Sequence, residues 1–157
     1  MEFTEQGSLA IATLPPYAIL CDGHPLSDRT SVTTKDLLPY PMVLLDLPFS
    51  SEYFLSFFGP AGEKPKIAER TRDMAVMRSL VANGFGFSLA NVRPLNDQSP
   101  DGKPLNFVPL EGTARPMKLG LLFSPEAGNV NVIRTFIEHC KTEHLDGQVP
   151  GLNLDKP

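Results

Sequence analysis

Two adjacent serines, Ser50 and Ser51, are the first candidates for chemistry in this sequence. They follow the segment VLLDLP (residues 43–48), which is apolar apart from Asp46, and stand where a short helix is predicted to begin. The first turn of a helix has unpaired backbone N–H groups and a partial positive charge, so a small carboxylate is favoured there. Ordinary helix caps use the same residue types. The residues alone leave both interpretations open.

The same kind of junction recurs at Thr71 and Arg72, where a predicted strand over residues 66–71 meets a predicted helix. Ligands of α/β sheets bind outside the carboxyl ends of the strands. The two helix starts are therefore expected to point into one cleft, where Arg70 or Arg72 can pair with an anionic ligand. A surface ion pair is the alternative role for a single arginine.

The other reactive side chains give no support for catalysis or metal binding. Asp46 could act as a base but has no evident partner. The segment NGFGFS (residues 83–88) lacks the third glycine of a dinucleotide fingerprint and precedes a strand instead of following one. We expect no enzyme, no cofactor and no metal. The three histidines are scattered and have no carboxylate cluster beside them: His24, His139 and His144.

The composition indicates one folded domain. The chain has 157 residues, 41% of them hydrophobic, and a net charge of −4 with 14 dispersed Lys and Arg residues, so we expect no DNA-binding surface in it. No stretch approaches the roughly 20 apolar residues of a membrane span, and the N-terminus lacks the basic start of a signal peptide. We expect a cytoplasmic protein, without a membrane partner, in which Cys21 and Cys140 are free thiols.

The pattern of apolar runs predicts an α/β sheet. Residues 42–90 alternate strand, helix, strand, helix and strand, which indicates at least partly parallel pairing. Further strands are predicted at residues 17–21, 105–110 and 117–123. The clearest amphipathic helix covers residues 130–140, where apolar side chains recur at helical spacing.

Three segments, taken in order, resemble the effector-binding domain of LysR-type transcriptional regulators: GHPLS (residues 23–27), KDLLPYPMVLLD (residues 35–46) and RSLVANGFGFSLAN (residues 78–91). The similarity extends over about residues 14–141. It implies a periplasmic-binding-protein-like α/β fold of type 2, with two lobes and a small effector, often a carboxylate, in the cleft between them. Effector binding in such regulators changes how the attached DNA-binding domains meet DNA.

The resemblance also implies a division of this chain. Residues 14–116 correspond to lobe two, residues 117–145 to a strand and a helix that return to lobe one, and residues 1–13 and 146–157 to flexible ends. The chain looks like a truncated regulator that reaches DNA only through a domain missing from this sequence. We expect a homo-oligomer, because the apolar face of the helix at residues 130–140 must pack on lobe two or on a second chain.

On this resemblance the effector site combines three places: the turn at residues 47–51, the strand end at Arg70 and Thr71, and the strand start at Phe87 and Ser88. Phe49 would offer an apolar surface beside the serine donors, which suits an organic acid with a hydrophobic part. Two other functions stay open: a solute-binding protein of a transporter, which needs a signal peptide, and a small α/β enzyme with Asp46 or His24 as base. The predicted effector-binding residues are Leu47, Pro48, Phe49, Ser50, Ser51, Arg70, Thr71, Phe87 and Ser88.

Overall fold

The computed structural model divides the chain into two compact units. The larger unit is Pro15–Arg115, and the smaller unit combines Met1–Leu14 with Pro116–Pro157. The residues that the structure describes are 7–59, 62–112, 115–124, 126, 129–143, 149 and 151–154. In chain order the elements are β1 (Ser8–Leu14), β2 (Tyr17–Cys21), α1 (Thr34–Leu37), β3 (Pro41–Leu45), α2 (Ser50–Ser56), β4 (Lys66–Thr71), α3 (Met74–Ala82), β5 (Ser88–Ala90), β6 (Leu105–Pro109), β7 (Met117–Leu122) and α4 (Asn131–Glu143).

Five strands of the larger unit form one mixed sheet. β3 and β4 pair in parallel, with Leu45 opposite Thr71, and β2 pairs antiparallel with both β5 and β6. A parallel bridge between Met42 and Phe87 joins the two groups, supported by a 2.7 Å hydrogen bond from Val43 N to Phe87 O. The strand order is therefore β4-β3-β5-β2-β6, which confirms the predicted α/β sheet with partly parallel strands.

Helices cover both faces of this sheet, because successive residues of each strand point to opposite sides. Leu44 belongs to one apolar cluster and Leu45 to the other. The first cluster is closed by α1 and α2, and the second by α3, which gives a helix–sheet–helix sandwich. The helical residues buried in these clusters are Leu37 and Phe54 on the first face, and Met77 and Val81 on the second.

Single residues explain where α1 and α3 begin and end. Thr33 and Asp36 form a capping box at the start of α1. Asp73 accepts hydrogen bonds from first-turn N–H groups of α3, at 2.7 and 3.1 Å. Gly84 follows the C-cap of α3 with a φ of 82°, a conformation that glycine adopts without strain. These ends set the lengths of the helices on both faces of the sheet.

The smaller unit is a two-stranded ribbon that carries one helix. β1 and β7 pair antiparallel, and α4 packs against β1. Residues 8–13 therefore belong to a strand, and the expectation of a flexible end over residues 1–13 is wrong for them. The reason is that β7, distant in sequence, supplies the backbone partners. Residues 1–6 and most of residues 146–157 lie outside the described residues.

The helix α4 buries only part of its apolar face. Ile137 and Cys140 are buried, whereas Val132 is 78% exposed and Phe136 is 54% exposed. The predicted amphipathic helix is thus confirmed, and its packing on lobe two or on a second chain stays a prediction. Cys21 and Cys140 are free thiols, as predicted.

Candidate functional site

The turn between β3 and α2 holds an aromatic side chain in solvent. The carbonyl oxygen of Leu47 accepts hydrogen bonds from the N–H groups of Ser50 and Ser51, both at 3.2 Å, and this closes the turn. Phe49 lies within it at a φ of 66°, a backbone region that costs a non-glycine residue about 1–2 kcal/mol. Its side chain is 86% exposed. Local strain of this kind is common at binding sites.

The two serines do not cap α2. Phe49 occupies the N-cap position, and no side chain among the described residues caps the first turn of α2 with a hydrogen bond. The Ser51 hydroxyl donates back to the Leu47 carbonyl at 3.4 Å, and within the described residues the Ser50 hydroxyl has no hydrogen-bond partner. The ordinary-cap interpretation is therefore wrong at this junction, which leaves the Ser50 hydroxyl available to a ligand.

The end of β4 lies beside this turn. The N–H of Asp46 donates to the Thr71 carbonyl at 2.7 Å, and Arg70 Nη1 lies 3.5 Å from an Asp46 carboxylate oxygen. Both side chains of this ion pair are substantially exposed, so the pair contributes little to stability. Because parallel strands end at one edge of a sheet, the predicted juxtaposition of residues 47–51 with Arg70 and Thr71 is present.

Phe87 and Ser88 do not join them. Both side chains are 0% exposed, and the Phe87 N–H donates to the carbonyl of Pro41, the first residue of β3, at 2.9 Å. β5 runs parallel to β3, so its start lies beside the start of β3 and not beside its carboxyl end. The residue that follows β5 at the carboxyl end is Asn91.

Two polar residues at this edge are absent from the predicted set. The Tyr53 hydroxyl on α2 donates to the Arg115 carbonyl at 2.5 Å and accepts from Asn91 Nδ2 at 3.0 Å. Asn91 is only 3% exposed. Burial raises the pKa of Tyr53 above its usual value, so the hydroxyl keeps its proton and remains a donor. Asn91 could have been found from its position directly after a predicted strand.

We call these residues the carboxyl edge, since they end or follow β3, β4 and β5. Its members are residues 47–51, Arg70, Thr71, Tyr53 and Asn91. It offers one exposed ring, one unoccupied hydroxyl and one half-exposed guanidinium. In the part of the chain that the structure describes, no group of three or more His, Cys, Asp or Glu side chains could hold a metal ion.

A family model matches nearly the whole sequence. It describes the LysR substrate binding domain and covers residues 5–144. The chain belongs to the LysR substrate-binding domain family. No curated protein matches it by sequence. In this LysR substrate-binding domain, no helix of the described ranges is long and apolar enough to cross a membrane.

Solved structures resemble this LysR substrate-binding domain over most of its length. The PA01 protein from Pseudomonas aeruginosa is 29% identical with a TM-score of 0.79, and the match covers 91% of this chain and 51% of that protein. HinK, a LysR family transcriptional regulator from the same organism, is 28% identical with a TM-score of 0.78, covering 91% and 50%. The chain therefore spans about half the length of these two proteins.

A structure of the BenM effector binding domain with its effector benzoate shows the same fold. It is 19% identical to this chain with a TM-score of 0.61, and the match covers 99% of this chain and 73% of that domain. The predicted α/β fold, the periplasmic-binding-protein-like fold of type 2, is thereby confirmed for this LysR substrate-binding domain.

Proposed function

We propose that this LysR substrate-binding domain senses a small organic acid at its carboxyl edge and controls transcription through a DNA-binding domain that it is joined to or assembles with. The observation that carries the proposal is the meeting of the turn at residues 47–51 with the end of β4, held by the bond from Asp46 N to Thr71 O. Family membership favours this function over a transport protein or an enzyme.

The chemistry of the carboxyl edge supports a ligand that is acidic at one end and apolar at the other. Phe49 offers an exposed ring, and the Ser50 hydroxyl and the half-exposed Arg70 offer donors to a carboxylate. Benzoate, which is the effector of BenM, has this combination of groups. Phe87 and Ser88 are left out of the proposed site because their side chains are fully buried.

The proposed regulation is a shift between two states. We take the larger unit as lobe two and the smaller unit as part of lobe one, and effector binding favours the state of the domain that has the higher affinity for the effector. The apolar residues left exposed on α4, Val132 and Phe136, support assembly into an oligomer. Coupling to DNA then requires that the two states differ both in effector affinity and in how the DNA-binding domains meet DNA.

Thermal unfolding of this chain with benzoate and related aromatic and alicyclic carboxylates tests the proposed site. A ligand at ten times its Kd adds about 1.4 kcal/mol to the free energy of unfolding, which raises the Tm measurably. We expect the rise to disappear in the double variant Phe49→Ala, Ser50→Ala. Ser56→Ala is the matched control, because Ser56 lies on the same helix but is not a member of the carboxyl edge, and its hydroxyl donates only to the backbone carbonyl of Tyr53.

Two results would contradict the proposal. One is that no carboxylate raises the Tm of the unmodified chain. The other is that a carboxylate raises the Tm equally in the unmodified chain and in the Phe49→Ala, Ser50→Ala variant, which would place the ligand elsewhere. Isothermal titration calorimetry of the same variants separates lost binding from lost stability.

A further inference from the structure

The hydroxyl of Tyr53 lies against the point where the chain leaves the larger unit. It donates to the carbonyl oxygen of Arg115, and Arg115 is the last residue of that unit before the chain continues into β7. The next residue, Pro116, has no backbone N–H and cannot anchor the segment by donating a hydrogen bond. We call this segment, residues 115–117, the crossover. The Tyr53 hydroxyl is therefore positioned to hold the crossover.

The other contacts of Tyr53 lead to the proposed ligand turn. Its backbone N–H donates to the carbonyl of Phe49 at 3.1 Å. Its ring packs edge-on against Phe54 and Phe57, with ring centroids 5.1 and 4.7 Å apart. Both phenylalanines are buried in the first apolar cluster. A ring packed in this way has little room to move independently of α2.

We propose that the Tyr53 hydroxyl is a positioning group that couples the turn at Phe49 to the crossover at Arg115. Displacement of the turn then changes how firmly the crossover is held. The inference rests on the proposed function for the statement that a ligand causes the displacement. The mechanical link itself is a property of the chain without any ligand.

Asn91 gives the link a defined orientation. Its side-chain amide donates to the Tyr53 oxygen at 3.0 Å, so the hydroxyl proton is directed to the Arg115 carbonyl, which can only accept. Asn91 directly follows β5 and is buried. Tyr53 is thus held at three points: its backbone N–H at the turn, and its hydroxyl at the end of the sheet and at the crossover.

Tyr40 provides a matched control for removing this hydroxyl. It packs against the same apolar cluster as Tyr53, and its ring contacts the ring of His24 at a tilt of 58°, with centroids 4.5 Å apart. Within the described residues its hydroxyl makes no hydrogen bond. Tyr40→Phe therefore removes the same atom from the same cluster without touching the crossover.

Amide hydrogen exchange of the ligand-free chain tests the link between Tyr53 and the crossover. We expect Tyr53→Phe to speed exchange of the peptide covering residues 112–118 by about 3- to 10-fold, the range for loss of one hydrogen bond. Tyr40→Phe should leave this peptide unchanged. Equal exchange in both variants would overturn the proposal.

A double-mutant cycle separates coupling from a merely structural role. Phe49→Gly relaxes the backbone of the turn, and we expect it to change exchange at residues 112–118 by at least about twofold when Tyr53 is present. In the Tyr53→Phe background the same substitution should have no effect on this peptide. If the effects of the two substitutions are independent, Tyr53 does not transmit displacement of the turn and the proposal fails.

The two proposals can fail separately. Exchange is measured without ligand, so an absent coupling refutes the Tyr53 link whether or not a carboxylate binds. Conversely, a coupled crossover in a chain that binds no carboxylate would leave the link standing and refute the proposed effector.

Discussion

The two units of this chain differ in how completely their strands are covered. In the larger unit, helices close both faces of the sheet, and Phe87 and Met77 have no exposed surface on opposite faces. The ribbon of β1 and β7 in the smaller unit is packed by α4, on which Phe136 remains 54% exposed. Two strands with one helix give little buried apolar surface. The comparison indicates that stability resides in the larger unit.

The largest expected effect comes from emptying the core of the larger unit. Phe87→Ala leaves a cavity where the ring contacts Phe58, with centroids 6.5 Å apart, and should lower the free energy of unfolding by about 3–5 kcal/mol. Phe136→Ala in the smaller unit should cost less than about 1 kcal/mol, because half of that ring already lies in solvent. Urea unfolding of both variants measures the difference. Similar losses in the free energy of unfolding for the two variants would contradict the conclusion that stability resides in the larger unit.

The second test uses two glycines that lie close to the backbone of a neighbouring strand. A Cβ on Gly86 would overlap the carbonyl of Pro41 in the larger unit, and one on Gly120 would lie 2.7 Å from the carbonyl of Leu9 in the smaller unit. Either clash should cost about 1–3 kcal/mol locally. We expect Gly86→Ala to lower the Tm of the main transition, and Gly120→Ala to speed hydrogen exchange only in β1 and β7.

Gly84→Ala is the control for these glycines. Gly84 has a positive φ, but nothing lies near the added Cβ. Its replacement therefore reports backbone strain alone, about 1 kcal/mol. If Gly84→Ala lowers the Tm as much as Gly86→Ala, the approach of the Pro41 carbonyl is not the cause of the loss.

The part of the fold that sequence could predict is local. The Asp73 cap and Gly84 mark the two ends of α3, and the alternation of apolar runs predicts a sheet with parallel strands. The pairing of β1 with β7 joins residues from the two ends of the chain. No local propensity reveals such a pair, and this explains why residues 8–13 were expected to be flexible.

The proximity of some candidate residues follows from the same local pattern, whereas the placement of others depends on how the strands pair. Residues 47–51 follow β3 and Arg70 lies at the end of β4, and these consecutive strands are parallel, so the α/β pattern implies that the two places are close together. Phe87, a candidate from the resemblance, lies beside the start of β3 and not beside its carboxyl end, and this placement cannot be predicted without the pairing of β5 with β3. Tyr53 reaches Arg115 across a sequence separation that no motif encodes.

The smallest expected effect is a pH dependence confined to the larger unit. Burial lowers the pKa of His24 below its unfolded value of 6.5, and its Nδ1 accepts a hydrogen bond from Leu26 N at 3.1 Å, which requires the unprotonated ring. The folded state thus binds fewer protons than the unfolded state. The neutral His24 ring therefore stabilises the folded state fully above the unfolded pKa. This stabilisation is lost as the pH falls below the unfolded pKa toward the lower folded pKa.

His24→Asn isolates this contribution, because the asparagine oxygen can still accept from Leu26 N. Between pH 7.5 and pH 5 the unmodified chain should lose more free energy of unfolding than His24→Asn does. We expect the difference between the two losses to be less than about 1 kcal/mol, since the imidazole is only partly buried. His139→Asn on α4 is the control, since His139 is exposed. An unchanged pH profile in His24→Asn would remove His24 as the cause.

The position of β2 between β5 and β6 has a consequence for how the chain folds. β2 is the first strand of the larger unit to be synthesised, yet its partners β5 and β6 come from the far end of that unit. β3, α2 and β4 are consecutive in the chain, and β3 pairs directly with β4. Contacts distant in sequence form slowly, because closing a long loop costs entropy. We expect the β3–α2–β4 segment to form early on the ribosome, while β2 waits until β6 has emerged.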